Sequence, residues 1–91
     1  MKYNNYMKAA NENPDLCSLI AMEECSELIQ AISKAKRGKL DKDNLTEEIA
    51  DVFICIDWLC EIYNIKNEEI SEWLITKKDR ISKRLKCGNF K

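Results

Sequence analysis

Two short stretches hold the residues whose types and spacing suit chemistry. "EECSE" places Glu23, Glu24 and Glu27 within residues 23–27, and "EEIAD" places Glu47, Glu48 and Asp51 within residues 47–51. Both are embedded in apolar sequence. At about 100° per residue, Glu24 projects into a sector made by Cys17, Ile20, Ala21, Leu28, Ala31, Ile32 and Ala35. Glu27 falls at the edge of that sector, and Glu23 turns toward the polar side. In the second stretch Glu48 projects between Leu59 and Cys55, and Asp51 between Trp58 and Ile62. Four carboxylates therefore face inward, as two i, i+3 pairs on two helices. Burial costs several kcal/mol per ion unless each charge is paired, and like charges 4 Å apart repel by about 4 kcal/mol at an effective dielectric near 20. Four converging hard oxygen donors call for a cation between them, of the Mg²⁺ or Mn²⁺ type. Divalent metal binding is the first functional expectation.

Other chemistries are excluded by what the chain lacks. It has no histidine, which removes Ser-His-Asp and Cys-His catalysis, His-ligated zinc and the Glu-x-x-His di-iron signature. No G-x-x-x-x-G-K-[ST] loop is present, so a P-loop nucleotidase is excluded too. The five cysteines, Cys17, Cys25, Cys55, Cys60 and Cys87, form an odd set without a C-x-x-C pair and are expected to be reduced and mostly packed, Cys87 being the most exposed. Carboxylates, Lys, Arg, Tyr and backbone groups remain as the available reagents.

The elements that must position these acids are helices. Only two Gly and one Pro interrupt 91 residues that are 45% hydrophobic and 34% charged, an all-α composition for a single domain spanning 1–91. A short helix is expected over residues 2–11, with Tyr3, Tyr6, Met7 and Ala10 on one side. Asn13 as N-cap and Pro14 at the first position open a long helix that Gly38 closes. A second long helix begins with Asn44 and Glu47 at capping-box spacing and runs to about Tyr63, with Asn64 as a left-handed cap. The third runs from near Asn67 to about Lys86, its apolar stripe being Ile70, Leu74, Ile81 and Leu85. Apolar residues occupy more than half the circumference of the second long helix, so Trp58, Ile54 or Ile62 is expected at a subunit interface of an oligomeric helical bundle. A net charge of −1 gives no general attraction to nucleic acid or to anionic membrane. No apolar run approaches a spanning length and the start lacks a signal-peptide core, so a cytoplasmic setting is expected.

The double motif, with the textures "ELIQAISKAKRGK" and "EEIADVFICIDWLCEIYNI", resembles the E-E-x-x-E and E-x-x-D motifs of the MazG-like nucleoside triphosphate pyrophosphohydrolases across most of the chain. The resemblance implies an all-α homodimer or homotetramer that hydrolyses a nucleoside triphosphate to the monophosphate and pyrophosphate with Mg²⁺, Mn²⁺ being an alternative. It maps the metal ligands and catalytic acids to Glu24, Glu27, Glu48 and Asp51, with Glu27 a candidate ligand or general base. Glu23 then either supports the ligands or faces solvent, and Glu47 caps its helix. A K-x-x-R pattern on the last helix of such proteins meets substrate phosphates; Lys77 and Arg80 fit it, with Lys78 and Arg84 as the other register. Phosphoribosyl-ATP pyrophosphohydrolase, with similar acidic motifs, and a non-catalytic helical interaction module are the alternative identities.

Overall fold

Pro14 cannot donate a backbone hydrogen bond, and its fixed φ suits the first turn of a helix. In the computed structural model, which describes residues 5–90, it separates α1 (Asn5–Glu12) from α2 (Pro14–Lys36). Asn13 links the two through its backbone alone, donating to Ala9 O at 2.8 Å and accepting from Cys17 N at 2.9 Å. Its side chain makes no cap hydrogen bond, unlike the expectation from sequence. Tyr3 lies outside the described residues.

Gly38 at φ +79° ends α2, where Lys39 N donates back to Lys34 O at 2.9 Å. The next helix, α3 (Lys42–Ile62), begins earlier than Asn44. Asp41 is its N-cap, accepting from Asn44 N at 3.0 Å, which corrects the expected Asn44–Glu47 box: Asn44 already lies in the first turn. Asn64 does adopt the left-handed conformation, φ +54°, with Ile65 N closing back on Cys60 O at 2.9 Å. Glu69 accepts from Lys66 N at 2.9 Å and secures the start of α4 (Asn67–Lys86). All four helices, with no strand among the described residues, give the all-α class.

Ser18 Oγ lies 3.5 Å from Tyr63 Oη, while Glu24 and Glu27 meet Glu48 further along, so α2 and α3 run antiparallel. Small residues line their contact. Cys17, Ala21 and Ala31 of α2 and Cys55 of α3 are buried, joined by Ala10 of α1. Such side chains allow close approach of the two backbones but bury little apolar area each. Helix α1 covers one end of the pair, where Trp58 Nε1 donates to Tyr6 O at 2.6 Å and Tyr6 Oη donates to Asp57 at 3.2 Å. Trp58 is thereby half-buried within its own chain, whereas Ile54 is more exposed.

Helix α4 packs against none of the other three and buries none of its residues. Leu74, Ile81 and Leu85 of its stripe are exposed, and Ile70 is half-buried. Among the described residues no helix is long and apolar enough to cross a membrane.

Candidate metal centre

The antiparallel pairing sets two turns of α2 opposite two turns of α3. One carboxylate oxygen from each of Glu24, Glu27 and Glu48 lies within 4.8 Å of the others. Asp51 falls outside that group of three, but its charge acts on both Glu24 and Glu48. Depth differs among them. Glu48 is 8% exposed, Glu24 and Asp51 are half-buried, and Glu27 is open to solvent. Glu23 and Glu47 face solvent, and Glu47 takes no capping role because Asp41 holds that position.

Buried acids without cations hold their protons more tightly. Burial pushes the Glu24 carboxyl above the ordinary value of 4.5, followed by the charges of Glu27, Asp51 and Glu48 and the hydrogen bond with Asp51. Glu48 is raised likewise, first by burial and then by Glu27, against the lowering effect of a hydrogen bond from Asn44. That bond runs from Asn44 Nδ2 to Glu48 Oε2 at 3.3 Å. The other oxygen of Glu48 and Oε1 of Glu24 are buried with no hydrogen-bond partner. Native proteins rarely leave such atoms unsatisfied. Hard, anionic, unpartnered oxygens on two facing helices fit a divalent cation of the Mg²⁺ or Mn²⁺ class.

Two cavities flank the acids. One, of about 360 Å³, is lined by Glu27, Gln30, Lys34, Asn44 and Glu48. The other, of about 190 Å³, is lined by Glu24, Asp51, Ile54, Trp58 and Tyr6. A larger cavity of about 630 Å³ lies away from the acids, where α1 meets the α3–α4 turn. Cys55 borders the smaller cavity, but burial above all, with Glu24 nearby, pushes its thiol up to about 11 and leaves it a poor nucleophile or soft-metal ligand. No disulfide forms among the described residues, and Cys25 is exposed along with Cys87.

Lys77 and Arg80 are not brought to the acids within this chain, because α4 stands apart from α2 and α3. Lys77 Nζ instead lies 5.8 Å from the Trp73 ring centroid. Lys78 and Arg84 are exposed on the same helix. Sequence reasoning gave Asn44 only a capping role and passed over Gln30 and Lys34 as site residues. Their signal was spacing: Asn44 is one turn before Glu48, and Lys34 is two turns after Glu27.

The chain matches the family model of the MazG nucleotide pyrophosphohydrolase domain over residues 12–85. No curated protein and no solved structure matches it. With most of its length covered, from the end of α1 through nearly all of α4, the chain belongs to the MazG nucleotide pyrophosphohydrolase family.

Proposed function

We propose that this member of the MazG nucleotide pyrophosphohydrolase family acts as one domain over residues 1–91, hydrolysing a nucleoside triphosphate to the monophosphate and pyrophosphate among cytoplasmic nucleotides. The observation that carries this reading is the buried Glu48 Oε1 without a hydrogen-bond partner, on a carboxylate that has an oxygen within 4.8 Å of one from each of Glu24 and Glu27. Glu24, Glu27, Glu48 and Asp51 would hold Mg²⁺, with Mn²⁺ able to replace it. When bound, such an ion supplies charge neutralisation of the triphosphate and acidifies water for attack on phosphorus.

The remaining steps belong to the chain. Glu48 is fixed by Asn44 and by its burial, so one oxygen keeps a constant direction. Glu27, the one acid of the four open to solvent, would take a proton from the attacking water. The reaction needs no protein nucleophile, in keeping with an active region free of histidine and with an unreactive Cys55. Lys77 and Arg80 would meet substrate phosphates from another copy of the chain, as α4 reaches no acid in its own.

A pyrophosphate-release assay over ribo- and deoxynucleoside triphosphates and phosphoribosyl-ATP, with and without Mg²⁺, tests the reading. Release from at least one nucleoside triphosphate is expected, and Glu48→Gln or Asp51→Asn abolishes it with helical content unchanged. Release confined to phosphoribosyl-ATP assigns the other pyrophosphohydrolase, and nucleotide binding without release assigns a binding module. Unchanged activity in both variants would overturn the site.

A further inference from the structure

The four acids attract a cation but offer nothing to the terminal phosphates of a substrate. Within the chain, the two cavities that border them differ in this respect. The smaller, beside Glu24 and Asp51, contains the aromatic and apolar side chains of Trp58, Tyr6 and Ile54 and, among the described residues, no cationic group. The other, beside Glu27 and Glu48, contains one cation among the described residues, Lys34, together with the amides of Gln30 and Asn44.

Lys34 follows Glu27 by seven residues, which returns it to the same face of α2 two turns away. Lys36 falls on the opposite face, and Arg37 donates from Nε to Ser33 O at 3.3 Å. A basic residue near a helix C-terminus is favoured by the helix dipole wherever it points. Lys36 and Arg37 meet that preference without entering the cavity. Lys34 makes no ion pair with a carboxylate among the described residues, although Glu27 and Glu48 line the same space. Its ammonium is thus open to an anion at the rim of an acidic site.

We propose that Lys34 is a substrate-binding residue for the terminal phosphates, and that it fixes the polarity of the substrate along the α2–α3 groove. The pyrophosphate end lies in the cavity of Lys34, Gln30 and Asn44, the α-phosphorus beside the four acids, and the nucleoside toward Trp58. This rests on the nucleotide pyrophosphohydrolase reading of the same site. It differs from the assignment to Lys77 and Arg80 in that Lys34 acts from the chain that carries the acids.

Calorimetric titration with inorganic tripolyphosphate in Mg²⁺ buffer tests it apart from turnover. A lysine–phosphate contact is charge-assisted, so Lys34→Gln is expected to weaken binding about tenfold or more. Lys34→Arg should retain affinity within about threefold because it keeps the charge. Lys36→Gln, on the far face, should match the wild type. Lys34 is exposed, so none of these variants removes a buried contact. Equal affinity in wild type and Lys34→Gln, or no tripolyphosphate binding by the wild type, overturns the proposal. Pyrophosphate release from nucleotides is scored separately, so a protein that binds tripolyphosphate through Lys34 but releases nothing would overturn the hydrolase reading alone.

Discussion

Glu48 serves two opposed ends: its burial weakens the metal-free fold while its unpartnered oxygen is what a cation would use. Both Glu24 and Glu48 titrate above 4.5 in the folded chain. Between that value and their raised ones the native state binds more protons than the unfolded state, so their contribution to stability falls as pH rises through this window. Below it both states are protonated and the contribution is complete. Glu48→Gln should therefore make the metal-free protein more stable than wild type at pH 7.5, with the difference vanishing near pH 4. The substituted amide can still accept from Asn44 and can donate to Glu27, which removes a like charge without leaving a hole. Denaturant melts in chelator across this pH range check the sign, and a metal-free variant less stable than wild type at pH 7.5 would contradict it. Addition of Mg²⁺ at about 100 times its dissociation constant should stabilise the wild type by about 2.7 kcal/mol and the variant far less.

At the scale of the helix, much of the architecture was legible because single residues fixed it. Pro14 fixes its own φ, while Gly38 and Asn64 tolerate the positive φ that ends a helix, and the structure turns at all three. The inward tilt of Glu24, Glu48 and Asp51 could be read from the 3.6-residue period, which survives packing. The start of α3 was not legible, because Asp41 and Asn44 are both good caps and lie three residues apart. The Asp41 start carries helical geometry through Asn44, which places its amide one turn from Glu48. Asp41→Ala should cost about 1 kcal/mol of stability, whereas Glu47→Ala should fall within about 0.5 kcal/mol of wild type. Urea melts separate these, and a larger loss for Glu47→Ala would restore the Asn44–Glu47 cap. The positions of Lys34 and Gln30 against Asn44 were equally hidden, since they depend on the register between two helices, which no local pattern encodes.

Taken whole, one chain leaves its burial unfinished. Its accessible surface is 7632 Å², whereas a folded monomer of 10.6 kDa exposes about 5,500 Å². Its radius of gyration of 16.4 Å exceeds the roughly 12 Å of a compact domain of this length. The surplus of about 2,000 Å² is of the size that obligate interfaces bury. Much of it is apolar and sits where α4 meets no other helix: Trp73, Leu74, Ile81 and Leu85 are all exposed, as are Phe53 and Ile56 on α3. A second copy of the chain is the partner expected to cover these faces, and light scattering should give a mass of at least twice 10.6 kDa at micromolar concentration. Leu74→Lys should shift the protein toward monomer. Because Lys77 and Arg80 lie on the same helix, the shift has a chemical consequence if they act across the interface: KM for the nucleotide should rise steeply with dilution in Leu74→Lys. If the acids of α2 and α3 hold Mg²⁺ as proposed, its binding should persist at the same protein concentrations. A Leu74→Lys monomer that keeps the wild-type KM would remove Lys77 and Arg80 from the site and leave Lys34 as the cation the substrate meets.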